Sequence, residues 1–471
     1  MAKRSSGGGG GTQQQLMVMG GSQPKKSKLS STPSSLPDDA IGEVLLRLPS
    51  KSLARFRCVC RSWRRLISSP AFVRSHHALA AAAAPTRFTF APVAPPHTWT
   101  LFPGYDVPCD ECPRIAGPKP CHGLVLLGQR CTSTYSVCNP STGGLLRLPP
   151  CLVGRDYFRS SAGIGFHEPT GEYKVVVLAA RTYGVRATHC EVLTVGDPSA
   201  RWRAPAGEES SSMPGTFDIQ HTDPVLANGC LHWALGSLPF SKDHGVLSFS
   251  LAGESFRTVP LPPFAGDDVR RCYLDDSDPR RQNPRRPAYI TCLTPVGPVL
   301  AELDGRLCMV RDLRHRDDID STFQIWRLDD SDAGAWSLVY LVDLAQHAAR
   351  RLMTTWAVVP LCYLGGDDGD SSKDKDKRRI MVATTMHEVH VCDPKTRTLE
   401  TVASMVDTAN APVSQAYPCY KRDHNTGFPT SEEFPGYPTS EEFPRIVMFQ
   451  ESLVHVAGME YGTINIEHLH A

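Results

Sequence analysis

The chain has 471 residues, of which 41% are hydrophobic and 21% are charged, and its formal net charge is +1. This globular profile is long enough for one small and one large domain, or for two to three ordinary ones. The near-zero net charge argues against a chain-wide role in nucleic-acid binding, and no run approaches the roughly 18 apolar residues of a membrane span.

The 16 cysteines are scattered, and no secretory apolar segment precedes them. We therefore expect free thiols in a reducing compartment, the cytoplasm and/or the nucleus. Residues 1–35 are rich in Gly, Gln and Ser and lack the apolar content to fold, so we predict a disordered low-complexity tail. Its Lys25-Lys26-Ser27-Lys28 run is a weak candidate for a nuclear-import signal.

Apolar residues recur at helical spacing in residues 36–80. The first predicted helix begins near Pro37 and stops before Pro49, because the residue before a proline is pushed out of the α region. Ser50 is expected to cap a second helix that continues until Ser69-Pro70, and a short last turn follows from Ala71 to Leu79. The apolar faces of the two helices are formed by Ile41, Val44, Leu45 and Leu48, and by Leu53, Phe56, Cys60, Trp63 and Ile67.

About forty residues cannot bury so much apolar surface alone, so the helices either cap the following domain or dock on a partner. The order of residues resembles the F-box, in the runs Leu36-Pro37, Leu48-Pro49, Lys51-Ser52-Leu53, Arg55-Phe56-Arg57-Cys58-Val59-Cys60 and Ser62-Trp63-Arg64. In that family the surplus face docks on a Skp-type adaptor, which links the protein to a cullin-RING ubiquitin ligase. The resemblance thus implies that a Skp-type adaptor covers the apolar surface that the helices cannot bury alone.

The resemblance implies an adaptor-binding set, which is Leu36, Pro37, Ile41, Leu45, Leu48, Pro49, Leu53, Val59, Cys60 and Trp63. The stretch from Lys51 to Arg65 within it holds six basic residues and no acidic one. Such a stretch is usually a solvated helix face whose stems cover apolar surface. A nucleic-acid-binding helix is the weaker alternative, because no nucleic-acid-binding fold signature accompanies it.

Residues 81–104 are rich in Ala and Pro and are predicted to form a linker, although the alanine run can prolong the last helix as far as Pro85. Over residues 105–465 the period changes to two, and short β-rich runs are separated by Gly, Pro, Asn and Asp, which indicates an all-β sandwich, barrel or propeller. The predicted strands are Gly123–Leu127, Tyr135–Cys138, Leu145–Leu148, Tyr173–Leu178, Cys190–Val195, Cys230–Leu235, Val246–Leu251, Leu307–Val310, Phe323–Leu328, Trp336–Val342, Ile380–Ala383, Glu388–Cys392, Ile446–Gln450 and Leu453–Val456.

Two recurring themes favour the propeller. A turn before an apolar strand occurs at Cys121-His122-Gly123, Asn228-Gly229-Cys230 and Asp304-Gly305-Arg306, and Asn-Gly and Asp-Gly suit tight hairpins. A strand, a polar turn and a second strand occur at Val137–Leu145 and Val391–Leu399, with looser copies at Ser248–Pro260 and Gln324–Leu338. The unequal spacing of these copies leaves the number of blades open.

This β-rich part resembles the F-box-associated domain of plant F-box proteins, a kelch-like module. The resemblance rests on Cys138-Asn139-Pro140-Ser141-Thr142 before Leu148-Pro149, and on Gly163 to Val176, whose copy is imperfect at Phe166 to Glu168. The predicted fold is therefore multidomain α plus all-β, with a small N-terminal helical F-box followed by a β-propeller-like domain. Polar loop insertions are predicted at residues 267–286, 365–379 and 421–445. The last insertion holds a tandem duplication (428–445) that is either a recent loop expansion or a peptide offering aromatic and acidic contacts.

Four residues are weak metal candidates: Cys109, Cys112, Cys121 and His122. A Cys-x-x-Cys knuckle with a further Cys and His can complete tetrahedral zinc, but the second half lacks ligand-pair spacing, and buried or loop thiols are the preferred interpretation. His387-Glu388-Val389-His390 lies in a strand-like run that points its histidines to opposite faces, so it is not a metalloprotease motif. No metal, cofactor or catalytic residue is predicted.

The sequence therefore predicts a non-catalytic substrate-recognition subunit of an SCF-type (Skp–cullin–F-box) E3 ubiquitin ligase. Its F-box would bind a Skp-family adaptor and, through it, a cullin, while the β domain would bind a target protein that the sequence does not name. The alternatives are an F-box scaffold outside a ligase, a basic-helix nucleic-acid-associated protein, and an enzyme built on the propeller.

Overall fold

The structure is a computed structural model that describes residues 37–82, 87–90, 114–129, 134–151, 159–180, 188–206, 224–234, 245–263, 299–312, 322–343, 358–364, 378–384, 388–393, 395–396, 398–404, 446–461 and 467–470. Two compact units, residues 1–44 and 45–471, are distinguished by their internal contacts. Several predicted features lie outside the described residues. These are the tail, most of the linker, the insertions at 267–286 and 421–445, and residues 365–377 of the insertion at 365–379. The single residues Leu36, Cys109, Cys112 and His387 lie outside them as well.

Four helices occupy the N-terminal part, α1 (Asp38–Leu46), α2 (Ser50–Phe56), α3 (Arg61–Ile67) and α4 (Pro70–Ala82). The predicted start near Pro37 is confirmed, because the Ile41 N–H donates to the Pro37 carbonyl at 3.1 Å. The single second helix was a wrong prediction: it divides at Cys60, whose extended backbone (φ −155°, ψ 168°) caps α3. The short last turn is instead a thirteen-residue helix that begins at Pro70, where a missing N–H costs nothing. None of the described helices is long and apolar enough to span a membrane.

Five antiparallel sheets follow in chain order as the blades of a β-propeller. Blade 1 contains β2 (Arg114–Cys121), β3 (Leu124–Gln129), β4 (Thr134–Asn139), β5 (Gly144–Arg147) and the late strand β22 (Glu460–Tyr461). Blade 2 contains β6 (Arg159–His167), β7 (Glu172–Ala180) and β8 (Thr188–Val195), and blade 3 contains β9 (Val225–Ala227), β10 (Cys230–Ala234), β11 (Val246–Ser250) and β12 (Phe256–Val259). Blade 4 contains β13 (Val299–Leu303), β14 (Arg306–Asp312), β15 (Thr322–Asp330) and β16 (Ala335–Asp343), and blade 5 contains β17 (Val358–Leu364), β18 (Arg379–Thr384), β19 (Glu388–Asp393) and β20 (Thr398–Ser404).

A further three-stranded sheet joins distant parts of the chain. Its central strand β1 (Arg87–Phe90) pairs antiparallel with β21 (Ile446–Met448) on one side and with β23 (Glu467–His470) on the other. Strand β21 contacts β2 of blade 1, and β23 contacts β20 of blade 5. The sheet therefore stands between the last blade and the first and closes the ring.

The two sequence themes occupy equivalent places in the blades. His122-Gly123, Asn228-Gly229 and Asp304-Gly305 have positive φ at both residues and join the first strand of blades 1, 3 and 4 to the second, so the predicted tight hairpins are confirmed. All four strand–turn–strand copies join a third strand to a fourth. In each copy the last residue of the third strand caps the turn with its side chain, which accepts a backbone N–H; these residues are Asn139, Ser250, Asp330 and Asp393.

The predicted strands do not include the first strand of any blade. From blade 1 to blade 5, the first strand of each blade contacts the first strand of the next blade, so neighbouring blades approach closely there. A Cβ added to Gly163 of β6 would lie 2.5 Å from Pro224 Cγ, so only glycine fits there. Small residues such as Gly163, which this close approach requires, interrupt the alternation of apolar and polar residues by which strands are predicted. Residues 453–456, predicted as a strand, are instead irregular.

Candidate interaction surface

The turn between the short helices α2 and α3 exposes an apolar side chain. Cys60 ends the turn between them, and its Sγ accepts the Trp63 N–H at 3.4 Å. The Phe56 and Trp63 rings are 5.5 Å apart between centroids, which links the two helices on this side. Val59, between them, is 61% exposed. An apolar side chain this exposed gains nothing from the fold and is available to a partner.

The predicted adaptor-binding residues fall into two groups. Pro37, Pro49, Val59 and Cys60 are exposed, and Ile41, Leu48 and Trp63 are half-buried. Leu45 and Leu53 are only 1% and 0% exposed, so the chain itself covers them. They differ from the prediction because their faces of the helices point inward, and we assign them to the support of the surface. Val44 (60% exposed) and Leu79 (51% exposed) are apolar and accessible but absent from the predicted set.

Basic side chains surround the exposed apolar residues. The exposed cations of α2 and α3 are Lys51, Arg55, Arg61, Arg64 and Arg65. No acidic residue lies between Lys51 and Arg65, so the local charge is positive. Positive rim charge speeds association with an acidic partner more than it adds affinity.

The helix cap predicted at Ser50 is wrong. The residue before α2 is Pro49, which makes no side-chain cap, and the buried Ser50 hydroxyl has no hydrogen-bond partner. Instead the Ser50 N–H donates to Glu451 Oε2 at 2.7 Å. The first turn of α2 thus receives its negative charge from a residue 401 positions away. No local sequence signal could have indicated this.

His76 of α4 holds the loop before α2. Its Nε2 lies 3.0 Å from the Leu48 carbonyl, and its ring is buried. Ser69 starts α4 by accepting the Phe72 N–H at 3.3 Å through its hydroxyl. The loop that presents Leu48 and Pro49 is therefore fixed by α4.

Two of the four metal candidates, Cys121 and His122, lie within the described residues. Cys121 is buried in the core between blades 1 and 2, and burial raises the pKa of its thiol to about 12. His122, in the following turn, places its ring against Tyr173 and Phe166, and burial lowers its pKa to about 4. Within the described residues, no group of three or more His, Cys, Asp or Glu side chains is placed to hold a metal ion.

The motif residues of the β domain make internal contacts. The amide of Asn139, which is fully buried, donates to the carbonyls of Ser452 (3.1 Å) and Val454 (2.7 Å). Lys174 donates to Glu254 Oε1 at 2.8 Å and to the Leu251 carbonyl at 2.9 Å, which ties blade 2 to blade 3. The contacts of these motif residues therefore support the propeller.

One ion pair crosses the propeller axis. Lys119 of β2 forms a salt bridge with the Glu302 carboxylate of β13, and its Nζ also donates to the Glu302 carbonyl at 2.6 Å. Blades 1 and 4 are not neighbours in the ring, so this contact spans its centre.

Comparisons with known proteins agree with this architecture. Residues 33–75 match the F-box domain, and residues 85–279 match the F-box associated beta propeller domain. A putative F-box protein of Arabidopsis thaliana is 28% identical over 281 residues, which cover 55% of this chain and 67% of that protein. An F-box/kelch-repeat protein of the same plant is 27% identical, covering 51% and 69%, and a further F-box protein of that plant is 26% identical, covering 78% and 80%.

Proposed function

Because the chain is a plant F-box protein with an F-box-associated β-propeller domain, we propose that it is the substrate-recognition subunit of an SCF-type ubiquitin ligase. The observation that carries this proposal is the apolar side chain exposed at the turn between α2 and α3, inside the F-box match. Val59 stands 61% exposed there, beside the half-buried Trp63. An apolar surface rimmed by cations fits a Skp-family adaptor with an apolar groove and acidic edges.

The proposed contact residues are the exposed and half-buried members of the predicted set: Pro37, Ile41, Leu48, Pro49, Val59, Cys60 and Trp63. Leu45 and Leu53 act beneath them, because their burial fixes the helices that carry the contact residues. Leu36 belongs to the same proposal, although it lies outside the described residues. Trp63 is the expected hot spot, since tryptophan dominates interface energetics more often than any aliphatic residue.

The chain is proposed to catalyse no bond chemistry of its own. The adaptor connects it to a cullin, and the β domain holds a target protein, so that target lysines meet the ubiquitin-charged enzyme at high effective concentration. The axis-crossing pair of Lys119 and Glu302 favours a target site on the outer loops of the propeller. Loops are where this kind of fold places its specificity.

We propose that the protein acts in the cytoplasm and/or the nucleus. All ten cysteines within the described residues are free thiols, and seven of them are buried. Burial raises the pKa of Cys138 to about 12 and of Cys392 to about 12, which keeps these thiols protonated and unreactive. Such free thiols suit a reducing compartment.

Co-purification with a Skp-family adaptor tests the proposal. We expect the full chain to bind the adaptor stoichiometrically, and we expect Val59→Ser with Trp63→Ala to weaken binding at least about 30-fold, because each removes an anchor of the apolar surface. Isothermal titration calorimetry measures the change. Leu338→Ser, an equally conspicuous exposed leucine on blade 4 (47% exposed), is the matched control and should leave binding unchanged.

A folded wild-type chain that does not bind any Skp-family adaptor would contradict the proposal. Binding that survives the Val59 and Trp63 substitutions would contradict the assigned surface. Adaptor binding without ubiquitin transfer to any captured protein would favour the scaffold alternative. Binding to duplex or single-stranded nucleic acid with a steep salt dependence would favour the nucleic-acid alternative.

A further inference from the structure

The irregular segment after β21 is fastened to blade 1. The Ser452 N–H donates to Ser141 Oγ at 3.0 Å, and the Asn139 amide binds two carbonyls of the segment. A Cβ added to Gly123 would lie 2.2 Å from Ser452 Cβ, so the segment lies directly on the first hairpin of the blade. Val456 is buried in the core shared by blades 1 and 2. The segment therefore packs as part of the propeller, although it does not pair as a strand with any blade.

The same segment contacts α2 and α4. Glu451 accepts the Ser50 N–H at the start of α2 (2.7 Å), and Gln450 lies close enough to His77 of α4 to raise the pKa of that ring, against the larger lowering effect of burial. The segment thus holds the start of α2 by a direct hydrogen bond to its backbone.

A histidine pair makes a second connection. The rings of His77 on α4 and His122 of blade 1 meet edge to face, with centroids 4.8 Å apart. His122 Nδ1 lies 3.2 Å from the Tyr173 hydroxyl, and its ring also packs on Phe166. Burial lowers the pKa of both histidines, that of His122 to about 4, so both rings are neutral near pH 7 and pack without charge repulsion.

We propose that residues 450–454, together with His77 and His122, are positioning residues that hold α2–α4 in one fixed orientation on the propeller. This rests on the proposed function, in which the turn between α2 and α3 and the helix α3 carry the adaptor-binding residues Val59 and Trp63. Helices held at the start of α2 and again at α4 cannot pivot on a single hinge. The distance from the adaptor to a target on the β domain is then set by the fold, which restricts the target lysines that can be reached.

The test measures that distance in the full chain. Spin labels on unnatural amino acids replace Arg64 of α3 and Glu400 of β20, which are both exposed, and pulsed electron paramagnetic resonance gives the distance distribution. We expect one narrow distribution in the otherwise unsubstituted chain. The triple substitution Glu451→Ala, His77→Ala and His122→Ala should broaden it at least twofold, because it removes the cap of α2 and the histidine contact together.

Two companion measurements separate positioning from folding. The milder Glu451→Gln should speed hydrogen exchange at the Ser50 amide at least tenfold and leave the circular dichroism spectrum unchanged. Glu460→Ala, an exposed glutamate on β22, is the matched control and should change neither the distance distribution nor the exchange rate. Adaptor affinity should stay within about twofold in all variants, since Val59 and Trp63 are untouched.

The outcomes are distinct from those of the proposed function. The distance measurement needs no adaptor. Failure of adaptor binding would therefore overturn the proposed ligase function but not the proposal that α2–α4 are held in a fixed orientation on the propeller. A distribution in the triple variant as narrow as that of the parent chain would overturn the positioning role. A lower unfolding midpoint with an unchanged distribution would reduce these residues to ordinary structural contacts, which also contradicts the proposal.

Discussion

Glu254→Ala is expected to lower the free energy of unfolding by about 3–5 kcal/mol, the usual effect of removing one partner from a buried charge pair. The Glu254 side chain is 5% exposed and that of Lys174 is 8% exposed, so alanine would leave the lysine charge buried opposite no anion. Glu254 also accepts from Arg203 Nη2 at 2.7 Å and from the Ala206 N–H at 2.9 Å. Arg203 is 44% exposed, so water screens its share and the lysine dominates the loss.

The stabilising contribution of Glu254 is expected to depend on pH. The pKa of Glu254 is lowered to about 2, against 4.5 for an unperturbed glutamate. The largest cause is its hydrogen bond with Arg203, and the hydrogen bond with Lys174 lowers the pKa further. A depressed folded-state pKa means that the stabilisation is complete above about pH 4.5 and is lost as the pH falls toward 2. The difference in stability between the parent chain and Glu254→Gln should therefore shrink over that window.

Urea denaturation monitored by far-ultraviolet circular dichroism at pH 7, 4.5 and 3 measures both effects. Glu400→Ala, an exposed glutamate on β20, serves as the control and should shift the free energy of unfolding by less than about 0.5 kcal/mol. A Glu254→Ala loss no larger than that of the control would show that the charge cluster does not join blades 2 and 3. A difference that grows on acidification would show that the carboxylate is not the stabilising species.

Trp233→Ala is expected to cost about 3–5 kcal/mol, as truncation of a buried tryptophan usually does. Trp233 of β10 is 1% exposed and packs in the core between blades 2 and 3. Its indole N–H donates to the Ser161 hydroxyl of β6 at 3.0 Å, so it connects two blades through both packing and a buried hydrogen bond. Alanine leaves a cavity that the surrounding strands cannot close without distorting their ladders.

A conservative series separates the two contributions. Trp233→Phe retains most of the buried volume and loses the hydrogen bond, so its cost should be about 1–2 kcal/mol. Trp336 of blade 4 offers the matched control, because its indole also donates a hydrogen bond, to the Pro260 carbonyl at 2.8 Å, but its side chain is only half-buried. Trp336→Ala should cost clearly less than Trp233→Ala in the same urea titration. Equal costs would contradict the assignment of Trp233 to the inter-blade core.

The predicted F-box helices show how far local order reaches. Leu48-Pro49 and Ser69-Pro70 fixed helix boundaries correctly, because proline restricts the residue before it whatever the tertiary context. The apolar period continued through Cys60, however, and predicted one helix where two exist. A period of 3.6 cannot reveal a turn that itself contains apolar residues, here Val59 and Cys60, and the turn from Arg57 to Cys60 separates α2 from α3.

The β domain divides in the same way. Hairpins such as Asn228-Gly229 were predictable because positive φ at two successive residues has few solutions, and the capped turns at Asn139 and Asp393 repeat for the same local reason. The first strand of every blade escaped prediction. The residues of this strand are constrained by the neighbouring blade, as the close approach of Pro224 and Leu231 to Gly163 shows. A short stretch of sequence contains no information about that neighbouring blade.

The sequence by itself therefore determined what depends on near neighbours: the order of F-box and β domain, the helix stops and the turns. Tertiary structure alone decided which predicted contact residues face outward and what fastens the helices. Leu53 turned inward, and Glu451 came from 401 residues away to cap α2. Burial and long-range capping depend on surfaces that do not exist until the chain has folded, and no spacing along the sequence encodes them.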